Sequence, residues 1–165
     1  MDLGDLRSFP NGEKIFVDSN ILTYHFLNHP VYGRKCKEFI GRIEKGDIEG
    51  FISPIIVSEA LFNFIKAYIV KNYGIRSNEV ISFLKARFEV LYDIETDKAS
   101  ELFGIFDIIS ISELEVKRCY KFINNYALLT NDAFHLATMK KRGLTNIATN
   151  DRDFERIEWL SVWKP

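Results

Sequence analysis

The feature that most constrains this chain is its set of short apolar runs, each set between stretches of helical character. IFV (15–17) leads into Asp18, GFIS (50–53) into Pro54, and TNIAT (145–149) into Asn150 and Asp151, with WLSVW (159–163) at the C-terminal end. Runs this short suit strands buried on both faces, and strands alternating with helices build a parallel sheet with helices on both sides. The fold class expected is therefore α/β. In such folds the functional site lies beyond the carboxyl ends of the strands.

The connecting segments read as follows. Residues 1–13 read as a surface lead-in with a Pro-Asn-Gly turn, 19–28 as a helix capped by Ser19 or Asn20, and 31–45 as a second helix stopped by Gly46. Ser53-Pro54 opens a long helix in the usual order, cap and then proline. Val57, Leu61, Phe64, Ile65 and Tyr68 form a stripe on one side of it. Helices are expected at 78–88, 96–108, 112–125 and 131–142, with a further strand near VLYDI (90–94) and a helical turn at DRDFERI.

The chain has 165 residues, 47% of them hydrophobic and 14 of them Phe, which is enough for one domain spanning 1–165 with its own core, about residues 14–163. A net charge of −1 argues against an obligate, purely electrostatic DNA binder, but not against a nuclease with a local basic patch. Cys36 and Cys119 form no disulfide framework and suit a reducing compartment. The polar N-terminus lacks the look of a signal peptide. The most apolar stretch, 51–70, carries Pro54, Glu59, Asn63 and Lys66 and reads as a core helix rather than a membrane span. A soluble, cytoplasmic protein without a membrane partner is expected.

Two strands end on acids: IFV on Asp18, and NIAT, through Asn150, on Asp151. In a parallel sheet both ends share one edge, so carboxylates distant in sequence can meet there. An ionised group at the end of a buried strand is costly unless paired, although Asp is also a good helix cap. Asp132 opens the helix NDAFHLATMKK on its inward side, one turn from Leu136; its alternative reading is a first-turn acid favoured by the helix dipole. Glu59 lies in the second turn of its helix, off the apolar stripe, and its alternative reading is a solvated surface acid. Converging carboxylates repel one another, and a divalent cation relieves the repulsion. Carboxylates and water suit Mg²⁺ or Mn²⁺, which activate a water and stabilise phosphate oxygens in phosphodiester hydrolysis. No Ser-His-Asp or Cys-His arrangement competes with this reading.

IFVDSNIL, VSEALFNF, NDAFHLATMKKRG and IATNDRDFERI, in that order, resemble the PIN domain superfamily, and the run from Asp132 to Phe154 resembles the C-terminal half of VapC-type toxin ribonucleases and their archaeal relatives. The resemblance implies a sheet of order 3-2-1-4-5 with an acidic pocket at its C-terminal edge. It also implies a Mg²⁺- or Mn²⁺-dependent endoribonuclease whose metal-binding and catalytic acids are Asp18, Glu59, Asp132 and Asp151. Asn20, Thr149 and Asn150 would be support residues, and Asp153 an additional acid. The partners implied are an RNA substrate, a small antitoxin protein and a second copy of the chain. Extra length around residues 70–110, relative to compact toxins, leaves open a stand-alone nuclease of RNA processing or a non-catalytic binding module.

Three other readings carry less. A phosphatase working through an aspartyl-phosphate on Asp18 would want a second Asp at the position of Asn20. His25 and His29 have a spacing that suits zinc but lack a third ligand, and His135 reads as structural or surface. Lys140, Lys141 and Arg142 suit a helix C-terminus, with an RNA path that includes Arg152 and Arg156 as the alternative.

Overall fold

The computed structural model describes residues 2–165. Among these residues six parallel strands form one sheet: β1 (Asp2–Asp5), β2 (Lys14–Val17), β3 (Glu49–Ile52), β4 (Asp107–Ile108), β5 (Asn146–Ala148) and β6 (Ser161–Lys164). Their order is β1-β6-β5-β2-β3-β4. Among the described residues seven α-helices connect them: α1 (Ser19–Phe26), α2 (Gly33–Glu44), α3 (Pro54–Tyr73), α4 (Val80–Ala86), α5 (Asp97–Phe103), α6 (Glu113–Tyr126) and α7 (Thr130–Arg142). Among the described residues, no helix is long and apolar enough to cross a membrane.

Strand β2 is central, pairing with β3 on one side and β5 on the other. Ile15, Phe16 and Val17 point alternately to opposite faces, yet all are buried, so both faces of the sheet are covered at this point. The chain leaves β2 toward β3 and β4, then returns to build β5 and β6 on the other side. The reversal opens a crevice between the carboxyl ends of β2 and β5, where α/β sheets commonly bind ligands.

Four strands fall where the apolar runs predict them. Residues 1–13 do not form a mere lead-in: Asp2–Asp5 adds an edge strand beside β6, so the expected five-strand order 3-2-1-4-5 is extended by one. Leu6 and Phe9 then plug into the core, and Gly4 lies so close to the Trp163 ring that a side chain there would collide with it. The Pro-Asn-Gly turn is present, with Gly12 at φ +80°.

The strand expected near VLYDI is instead a 3₁₀ helix, Phe88–Asp93. Val90 packs with Ile69 and Val80 in a satellite core separate from the main one. The outer strand lies further on, at Asp107–Ile108, where two residues pair with Phe51 and Ile52. The helix expected over 96–108 accordingly stops at Phe103.

On α3, Ser53 caps the helix by accepting from the Ile56 amide, with Pro54 in the first turn, as the sequence suggests. Ile56, Ala60 and Ile69 are its buried residues, while Val57 and Leu61 are half-buried against the main core and Ile65 and Tyr68 against the satellite core. The helix is thus shared between two cores, which is why its buried face is wider than the expected stripe.

Candidate metal centre

Asp18 follows β2 directly and is the N-cap of α1, accepting from the Ser19 amide at 2.6 Å. The cap and the site are therefore the same residue, and the expected caps Ser19 and Asn20 belong to the helix itself. The second carboxylate oxygen of Asp18 accepts from the Asn20 side chain and from the Thr149 hydroxyl. Thr149 Oγ1 in turn accepts from Asn20 Nδ2 at 3.0 Å and from the Asp151 amide at 3.0 Å. That hydroxyl thus uses its one proton and both lone pairs. Asn20 Oδ1 accepts from the Asn150 amide at 3.2 Å, and Asn150 Nδ2 donates to the Tyr24 hydroxyl. Asn20, Thr149 and Asn150 therefore stitch the end of β2 to the end of β5. The loop after β5 folds back on itself, with the Asp153 amide donating to Asp151 Oδ1 at 2.8 Å.

The acids gather in two groups. Asp132, Asp151 and Asp153 place carboxylate oxygens within 4.8 Å of one another, and Asp18, Glu59 and His135 do the same with their ligating atoms. Glu59 reaches inward from α3: Oε1 accepts from Asn131 Nδ2 at 2.6 Å, and Oε2 lies 3.4 Å from His135 Nε2. Glu59 is thus not a solvated surface acid. His135 is 1% exposed and lies beside Glu59, which overturns the surface alternative for this residue. Sequence reasoning missed Asn131 and this placement of His135. The available signal was the step from Asp132 to His135, three residues along one helix face.

Charge in the site is unbalanced. Burial pushes the Asp18 carboxyl above the usual range, and the nearby Glu59 pushes it further, against the opposing pull of His135 and Thr149. Burial also lifts Asp132, to about 6, assisted by repulsion from Asp151, Asp18 and Asp153. Glu59 goes the other way: burial acts to raise it, but His135 and Asn131 outweigh that and hold it below the usual range. Among the described residues, no Lys or Arg pairs with the carboxylates of Asp18, Glu59, Asp132 or Asp151. A crowded set of hard oxygen donors without internal counter-charge fits a divalent cation.

The basic residues at the end of α7 are used elsewhere. Lys141 donates to Ser110 O at 2.8 Å and Lys140 stacks 4.1 Å over the Trp159 ring; Arg156, in the turn after β5, donates to Ala127 O and lies 3.3 Å from Asp153 Oδ1. Gly143, in the left-handed region at φ +66°, ends the helix there.

Residues 15–160 match the PIN domain family. The chain belongs to the PIN domain family. It is similar to "Ribonuclease VapC2" of Methanocaldococcus jannaschii, with 36% identity over 150 residues that cover 90% of this PIN protein and 92% of the relative. "Ribonuclease VapC6" of the same organism is 24% identical over 91% of this chain and 96% of its own. Among solved structures, this PIN fold resembles VapBC2 from Rickettsia felis bound to a DNA fragment from its promoter (TM-score 0.56, 16% identity, 92% of this chain and 98% of that one). It also resembles VapC20 from Mycobacterium tuberculosis, described as a sarcin-ricin-loop-cleaving toxin (TM-score 0.56, 14% identity, 90% of this chain and 98% of that one).

Proposed function

We propose that this PIN domain protein is a cytoplasmic, divalent-metal-dependent endoribonuclease and the toxin of a VapBC-like pair. The observation that carries the reading is the gathering of Asp18, Glu59, Asp132 and Asp151 at the switch point of the sheet, from four separate chain segments, with no Lys or Arg paired to any of the four among the described residues. In this reading Asp18, Glu59, Asp132 and Asp151 hold Mg²⁺ or Mn²⁺, with Asp153 beside them. Such an ion supplies water activation and charge stabilisation at the phosphate.

The chain's own residues do the rest. Asn20 and Thr149 fix both the position of the Asp18 carboxylate and the loop that carries Asp151. Asn150 anchors that loop to α1 through Tyr24. A groove of about 450 Å³ between α1 and α3 starts at Ser19 and Asn20 and passes Asn63 and Lys66. In this reading an RNA strand would enter along that groove, with the Lys66 ammonium available to a phosphate.

The likeness to Ribonuclease VapC2 supports RNA as the substrate. It also weakens the argument from length, because the alignment covers nearly all of both proteins and the relative is comparably long. The VapBC name of the solved neighbour supports an antitoxin partner; assembly with a second copy is proposed on the family resemblance. The test is cleavage of total and transfer RNA by purified protein with Mg²⁺ or Mn²⁺, beside Asp18→Asn prepared identically. Metal-dependent cutting that chelator and the substitution both abolish is expected. Cutting that survives either one overturns the mechanism.

A further inference from the structure

We infer that His135 is a nitrogen ligand of the cation held by Asp18 and Glu59, so that this half of the centre selects Mn²⁺ over Mg²⁺; the inference rests on the metal-dependent reading above.

Placement is the first support. Asp132 and His135 are three apart on α7 and so neighbour each other on one face. Asp132 enters the group with Asp151 and Asp153, and His135 enters the group with Asp18 and Glu59. One helix face thus contributes one donor to each group. An acid followed three residues later by a histidine is also how helices present paired ligands in carboxylate-bridged metal proteins.

Spacing is the second. His135 Nε2 lies 3.4 Å from Glu59 Oε2. A charge-assisted hydrogen bond would draw them to about 2.7–2.9 Å. Two donors each about 2.1 Å from one ion, at angles between octahedral and tetrahedral, stand about 3.0–3.4 Å apart.

Burial is the third. His135 is 1% exposed and its ring packs 5.8 Å from that of Phe16, so the imidazole is held inside the group with Asp18 and Glu59 and not turned to solvent.

The chemistry of the two groups then differs. The carboxylate-only group suits Mg²⁺, which keeps to oxygen and sheds water reluctantly. The mixed group suits a transition ion over Mg²⁺, and Mn²⁺ is the one that also takes carboxylates and water, although imidazole favours Zn, Cu, Fe and Ni more strongly.

The test loads purified full-length protein with Mn²⁺ and measures electron spin-echo envelope modulation. Nitrogen coupling is expected in the wild type, changing to the ¹⁵N pattern when the protein is labelled with ¹⁵N-histidine. It should persist when His25 and His29, the other two histidines, are both changed to Asn, and vanish in His135→Gln. The labelled wild type keeps the test valid even if His135→Gln folds poorly. In the folded variant, Mn²⁺ affinity should fall at least about tenfold while Mg²⁺ affinity stays within about threefold. Bound Mn²⁺ without nitrogen coupling, or coupling that survives His135→Gln, overturns the inference and leaves the metal-dependent reading intact. Failure to bind Mn²⁺ at millimolar concentration overturns both.

Discussion

Two carboxylates are buried among the described residues, and they are held by opposite means. Glu115, fully buried near the start of α6, completes a capping box: its Oε2 accepts from the Ser112 amide at 2.9 Å and the Ser112 hydroxyl at 2.6 Å. Lys141 lies 3.4 Å away and Arg118 3.5 Å away. Ser112 and Lys141 hold its carboxyl below the usual range. Asp18, 6% exposed, is met only by neutral donors, from Ser19, Asn20 and Thr149, and shares its site with Glu59 and His135. Its carboxyl is raised by burial. A structural acid is folded together with its own cation. An acid whose counter-charge the fold omits is poised to take one from solution.

The comparison breaks most readily on Asp18. Asp18→Asn keeps the shape and removes the charge, so it should reduce metal-dependent RNA cleavage at least about a hundredfold, since even loss of a supporting contact at a metal site costs 10- to 100-fold. The metal-free protein should melt no lower than wild type. A large drop in melting temperature would make Asp18 a structural acid after all. Asn20→Ala, which removes a hydrogen bond to Asp18 and ties to Thr149 and Asn150, should weaken Mn²⁺ binding about tenfold in a calorimetric titration. Unchanged affinity would mean that the network holds the loop and not the ligand. Glu115→Gln should do the reverse: cleavage per folded molecule within about twofold, and urea stability lower by about 1–2 kcal/mol from the damaged cap and the lost ion pair with Lys141.

The contrast also explains what the sequence could reveal. Strands β2, β3, β5 and β6 were legible because burial on both faces demands apolar runs. β1 was not, because DLGD offers one large apolar residue and gains its strand character from pairing with β6. β4 has two residues, both exposed, so almost no pattern marks it. VLYDI misleads in the opposite sense: its composition favours a strand, but its buried residues, Val90 and Ile94, are four apart and do not alternate, while Leu91 and Tyr92 face solvent. The acids were legible because a carboxylate after a buried strand is conspicuous. His135 was not, because on an apolar helix face it looks like any core histidine, and only its distance to Glu59, from a segment about 75 residues away, distinguishes it.

Asp132 gives the finest test of the comparison, because its charge is opposed rather than compensated. Its carboxyl is raised by burial and by Asp151, Asp18 and Asp153, to about 6. In the unfolded chain it returns to the ordinary range near 4. A folded value above the unfolded one means full stability at pH values below about 4, loss as the pH climbs to about 6, and a constant penalty beyond. In chelator, Asp132→Asn should therefore raise stability at pH 7.5 by about 1 kcal/mol, allowing for solvent screening at a half-buried site, and change nothing at pH 3.5. Adding Mn²⁺ should reverse the ranking at pH 7.5, because the ion stabilises only the state that binds it and the carboxylate binds better than the amide. Equal increments at both pH values would trace the gain to amide packing. The unbalanced charge would then not be what separates this end of the sheet from the capping box of α6.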